Sequence, residues 1–114
     1  MDPARTTSER TYFIEEEVRA LLGKRYRATA GYASVPPGTI GKVVDFYGGS
    51  NGLFGIDIEW QGVKRSARIG AAVDERHKAN EPLRDGFSRD DLLVVFTGGA
   101  HKGERAMVPL DGGL

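Results

Sequence analysis

Cysteine is absent from the 114-residue chain. Its absence excludes disulfide staples, thiolate zinc sites, iron–sulfur clusters and cysteine nucleophiles together. Histidine is scarce: His77 and His101 are the only two. Neither has a second histidine at helical spacing, so no histidine zinc motif exists. Net charge is missing as well, because 16 basic residues cancel 16 acidic ones. That balance removes the overall electrostatic footprint of a nucleic-acid binder while leaving room for a local patch. No apolar run approaches the length of a membrane span, and "MDPARTTSER" lacks the apolar core of a signal peptide. The expectation is a cytoplasmic protein of bacterial type, without membrane contact, cofactor or metal.

What the chain has in quantity is glycine, at 16 residues, and this favours a turn-rich β architecture over a helical bundle. Its size allows one hydrophobic core. Along the first 23 residues, Thr6 and Glu9 have capping-box spacing, with Ser8 and Thr11 as later candidate caps. Ile14, Val18, Leu21 and Leu22 then share one helical face, Glu15, Glu16, Glu17 and Arg19 occupy the rest, and Gly23 suits a left-handed stop. The pattern predicts a helix over Ser8–Leu22, although Tyr12 and Phe13 would also suit a strand.

From Lys24 the period changes to two. Tyr26, Ala28, Ala30 and Tyr32 alternate with polar residues, and "SVPPGT" stops the run because paired prolines end both helix and ladder. "IGKVVDFY" extends again, "GGSNG" turns, and in "LFGIDIEW" Phe54, Ile56, Ile58 and Trp60 face one way. "QG" reads as a tight turn into a fourth strand over "VKRSARIGAAV". "DERHKANEPLRDG", from Asp74 to Gly86, has no period and reads as a long loop, of the kind that is functional or mobile. Ser88 and Asp91 predict a single capped turn, Leu92 to Phe96 a last strand, and the residues after Thr97 a flexible tail. The resulting division is a leader and helix over 1–23, a β domain over 24–97 and a tail over 98–114.

The segments "GKRYRAT", "VPPGTIGKVVDF", "FGIDIEW" and "DGFSRDDLLVVF" together resemble an SH3-like barrel of five antiparallel strands. They are most similar to bacterial accessory barrels such as the ferredoxin–thioredoxin reductase variable chain and the nitrile hydratase β-subunit barrel. KOW-type domains are more distant in pattern, since they carry a more basic loop where this chain has "VPPGT". The resemblance implies a mainly β fold in which the amphipathic helix packs across the barrel or against a second copy, and an accessory role without catalysis.

The residues weigh the same way. A phosphate-cradling loop needs a helix directly after it, and "GGSNG" is followed by an alternating strand, so it is a hairpin turn. Serines, a histidine and carboxylates are present, but no Gly-x-Ser-x-Gly elbow gathers them, and paired carboxylates for glycoside chemistry would need a larger cleft. A non-catalytic module binding a protein partner is therefore the first expectation. Its surfaces would be the helix, with self-association through it, and the 74–86 loop. Tyr32, Tyr47, His77 and Phe87 are the candidate contact residues, although Phe87 and Trp60 also suit a core. The alternative is nucleic-acid binding, with Arg25, Arg27, Lys64, Arg65 and Arg68 tracking phosphates beside an exposed tyrosine. The same charges could merely keep a sheet face wet and its edges from pairing.

Overall fold

The alternation of Phe54, Ile56, Ile58 and Trp60 decides the architecture. A computed structural model, which describes residues 11–32, 34–69 and 80–114, buries all four on one face of the longest strand. Five strands form one antiparallel sheet: β1 (Arg25–Ala28), β2 (Ile40–Gly48), β3 (Phe54–Lys64), β4 (Pro82–Phe87) and β5 (Met107–Pro109). Their order across the sheet is β4-β3-β2-β1-β5. The edges are β4 and β5, and no ladder joins them among the described residues. A short helix, α1 (Glu15–Leu21), precedes the sheet, and single helical turns α2 (Ser66–Ile69) and α3 (Arg89–Leu92) flank β4 in sequence. No described helix is long and apolar enough to cross a membrane.

The N-terminal helix is shorter than the predicted Ser8–Leu22. Phe13 is drawn into a two-hydrogen-bond bridge with Phe54, at 2.9 and 2.8 Å, which leaves Ile14 extended. The helix starts only after that bridge. The Glu17 carboxylate then reaches back to the Ile14 N–H at 3.1 Å. Three glutamates in the first turn suit the positive end of the helix dipole. Thr6 and Ser8 lie outside the described residues. Val18 and Leu21 are buried in the core of the chain itself, and Leu22 is left exposed. Gly23 ends the helix at φ +85°, a conformation a Cβ would strain.

In β1, Tyr26 and Ala28 point inward and Arg25 and Arg27 outward, as the alternation predicts, but the strand stops at Ala28. Gly41 on β2 passes so close over Trp60 that a Cβ there would sit 2.9 Å from its Cε3. Tyr47 lies with its ring against Gly55 of β3, the residue opposite it in register.

The second half of the chain departs from the expectation. "QG" does not turn: β3 runs on through Gln61 and Gly62 to Lys64, with a register irregularity against β4 in that stretch and Gly62 at φ +75°. Glycine supplies a left-handed residue to a bulge as readily as to a turn, so one dipeptide signals both. The predicted fourth strand over Val63–Val73 is accordingly the end of β3 followed by α2, and residues 70–73 lie outside the description. The last part of the predicted Asp74–Gly86 loop is β4, in which Leu83 and Phe87 are buried. Residues 74–79 lie outside the described residues.

Ser88 and Asp91 form the expected capped turn, Asp91 N–H to Ser88 Oγ at 3.3 Å and Ser88 N–H to Asp91 Oδ2 at 3.1 Å. Leu92 closes that turn rather than opening a strand, and Val95 makes only an isolated bridge with Arg105. The fifth strand comes instead from the predicted tail. Met107 is fully buried, β5 pairs with β1, and Asp111 binds Arg25, so residues 98–114 belong to the fold. No apolar periodicity announced it, because only Met107 of its three residues is buried.

Candidate functional site

The feature of most chemical interest is a groove beside β4. The turn after β1 supplies its first wall. Tyr32 and Val35 bond one another's backbones at 3.1 and 3.0 Å, and the Ser34 hydroxyl between them donates to the Ala67 carbonyl of α2 at 3.0 Å. This fixes the Tyr32 ring 5.7 Å from Trp60 and 6.0 Å, edge-on, from Phe87. Trp60 and Phe87 are themselves 6.2 Å apart, so three aromatic rings pack as one unit with Tyr32 outermost. Such offset and edge-on pairs add stability beyond the area they bury.

Asp85 orders the floor. Its carboxylate accepts from Trp60 Nε1 at 2.6 Å and from both terminal nitrogens of Arg68, with Nη2 at 3.1 Å from Oδ2. Val94, Phe96 and Asp91 line the same groove, of about 540 Å³. Val94 is 45% exposed. Phe96 is half-buried against His101, whose Nδ1 lies 2.8 Å from Glu104 Oε2. The Tyr32 hydroxyl titrates above its ordinary range, first because it is partly buried and then because Asp85 and Asp91 face it. The groove is lined mainly by apolar side chains, with the paired Asp85 and Arg68 and the carboxylate of Asp91 as its charged groups.

Of the four candidate contact residues, the fold brings two together. Tyr32 is half-buried and lines the groove. Phe87 is at its base but buried to 5% exposure, so it is a core residue that supports the wall rather than an exposed contact. Tyr47 is exposed, on the outer face of the sheet, where burial and then Asp57, Asp91 and Tyr12 raise its hydroxyl pKa. His77 lies outside the described residues.

The basic residues do not form the strand-borne patch expected. Lys64 ends β3, Arg65 follows it, and Arg68 is on α2. Arg25 pairs with Asp111 at 2.9 Å, Arg65 stands 3.9 Å from Glu81, and Arg68 is bound to Asp85. Arg27 and Lys64 are exposed and form no ion pair among the described residues. Arg84 and Glu59 add a further cross-strand pair at 3.2 Å on the outer face.

Asp85, Val94 and Phe96 are not singled out by the sequence, and Asp91 is singled out only as a cap of the turn after Ser88. For Asp85 a signal exists, since Leu83, Asp85 and Phe87 alternate with polar partners. The flanking Pro82 and Gly86 hide it within a stretch that reads as loop. Val94 and Phe96 read as part of a strand, and no local pattern places them beside Tyr32.

Comparison of the chain with protein-family models, with curated proteins and with solved structures finds no match in any of the three.

Proposed function

We propose that the chain is a small non-catalytic binding module of SH3-like architecture that recognises a segment of a protein partner in the groove at Tyr32. The architecture draws support from the strand order, in which β1 sits between β2 and β5, and from the one-turn helix between β4 and the chain leading to β5. One observation carries the functional reading. A groove lined by the half-buried Tyr32 ring and the exposed Val94 has Phe87 and Asp85 in its lining, and both are packed on or bonded to the buried Trp60. Apolar clefts with a few placed polar groups are where partners dock. The absence of catalysis fits the engagement of the ionisable groups there: Arg68 and Asp85 bind each other, and Asp91 completes a helix cap. Nucleic-acid binding draws less support, because three of its five basic residues already have carboxylate partners.

The test starts from peptides selected for binding to the folded chain. Nuclear magnetic resonance titration is expected to shift Tyr32, Val94 and Phe96, and Val94→Lys to abolish binding with an unchanged melting temperature. Shifts confined to other faces would sink the proposal. A single-stranded oligonucleotide is expected to bind weakly, with no steep loss of affinity on adding salt, because few free cations are available to displace counterions.

A further inference from the structure

The two edges of the sheet differ in what their backbones offer. Phe13 and Phe54 exchange two hydrogen bonds on the side of β3 away from β2, while Gly49 N–H donates to the Leu53 carbonyl on the β2 side. Along β3, then, even-numbered residues direct their backbone groups toward β4. Phe87 and Asp85 stand opposite Ile56 and Ile58 and are the hydrogen-bonded partners. Gly86 and Arg84 alternate with them and turn their N–H and C=O groups outward. No group among the described residues meets them.

At the other edge, Thr29 N–H donates to the Ala106 carbonyl and Leu110 N–H to the Arg25 carbonyl, both at 2.9 Å. The even-numbered positions of that strand therefore face β1, and Met107 and Pro109 face out. Pro109 has no N–H to give, which is a common way to blunt an edge. On β4 that device stands only at Pro82, the first residue of the strand, while Arg84 and Gly86 keep their N–H groups: Gly86 has no side chain and lies under the Tyr47 ring on the outer face, and Arg84 is drawn over that face by Glu59.

This edge also borders the groove. Asp85, Gly86 and Phe87 line it, so a strand laid along β4 would send alternate side chains past Tyr32, Val94 and Phe96. Charge discriminates among occupants. Asp85 is matched by Arg68, whereas Asp91 is exposed, accepts one backbone N–H from Ser88, and has no cation beside it among the described residues. We infer that β4 takes up an extended segment of a partner protein as a sixth strand, whose backbone pairs with Arg84 and Gly86 while an apolar side chain enters the groove and a basic side chain two residues away meets Asp91. The inference rests on the groove being a protein-binding site. It adds the backbone mode and the charge of the ligand, which together constitute strand addition.

Twelve-residue random peptides displayed on phage and selected on the full chain supply the probe. Each selected peptide is then resynthesised with one N-methylated amide at a time. Methylation at alternate amides is expected to weaken binding about tenfold, the loss of one backbone hydrogen bond, with the intervening positions tolerant. The Arg84 and Gly86 amides should exchange rapidly in the free chain and slowly in the complex. Arginine or lysine should be enriched in the selected peptides. Asp91→Asn, which keeps the helix cap acceptor, should remove the preference for a basic residue over glutamine.

Peptides that shift Tyr32 and Val94 but tolerate N-methylation everywhere would overturn strand addition and leave the groove reading intact. Selected peptides that bind away from the groove, or a selection that yields none, would remove both. Slow exchange of the Arg84 and Gly86 amides in the free chain would mean that the edge is already covered, and would likewise overturn the inference.

Discussion

Asp85 joins the middle of the sheet to the turn that follows it: one carboxylate oxygen takes the Trp60 indole N–H at 2.6 Å, and the pair of oxygens takes the Arg68 guanidinium. Trp60 is fully buried, so its N–H has no water to fall back on. Asp85→Ala removes that acceptor and the carboxylate Arg68 binds. The expected cost is about 2–3 kcal/mol, the range for stranding buried polar groups. Asp85→Asn keeps an acceptor for the indole and is expected to lose less. Urea denaturation followed by the emission of the single tryptophan measures both. Equal stability of the alanine variant and the parent would show that the network is ornamental.

Arg25 and Asp111 tie the end of the chain to β1, side chain to side chain at 2.9 and 3.0 Å and Arg25 N–H to Asp111 Oδ2 at 2.9 Å. The hydrogen bonds from Arg25 hold the Asp111 carboxyl down to about 2. A carboxyl whose pKa falls on folding contributes stability that is fully present above its unfolded value, about 3.9, and is lost as pH drops through the folded value. Asp111→Asn is therefore expected to be less stable than the parent at pH 7. The gap should narrow below about pH 4 and close near pH 2. Stability curves of the two proteins across that range provide the check, and a gap independent of pH would contradict the assignment.

How much of this was legible in the sequence depended on whether the signal was local. Phe54 to Trp60 alternate without interruption, and the strand, its buried face and the hairpin before it follow directly. The Ser88–Asp91 cap is equally local. The end of β3 is not legible in the same way, because glycine serves turns and irregular strands alike, and Gly62 sits where β3 loses register with β4. The fifth strand was missed because three residues with one buried side chain carry no period, and its pairing with β1 crosses most of the chain. The groove suffers from both problems. Tyr32, Asp85 and the turn that carries Asp91 and Val94 come from three segments, and only the fold brings them to one groove.

The helix tests that packing from another side. Leu21 is 3% exposed, beneath the same C-terminal segment that Asp111 anchors: a Cβ on Gly113 would sit 3.2 Å from a Leu21 methyl. Leu21→Asp puts an unpaired carboxylate there, which costs about 3 kcal/mol after relaxation or protonation. For a chain of this size that corresponds to a fall of roughly 10 °C or more in melting temperature. An unchanged melting temperature would mean that α1 contributes nothing to the fold.

Gly41 offers the sharpest packing test, because its role is to be empty. Strand β2 crosses the inner face where Trp60 and Ile58 stand, and a Cβ at position 41 would overlap the Ile58 methyl and lie 2.9 Å from Trp60 Cε3. Its φ is not in the left-handed region, so an added methyl costs no backbone strain, and in an open strand alanine would be slightly favoured over glycine. Overpacking therefore decides the sign. Gly41→Ala is expected to destabilise by about 1–3 kcal/mol. Pairing it with Ile58→Ala, which removes the Cγ2 methyl that the new Cβ would overlap, is expected to cost less than the sum of the two single losses even though that substitution alone is destabilising. Additive losses in the double variant, measured by denaturant titration, would show that β2 and β3 do not meet as closely as Gly41 implies.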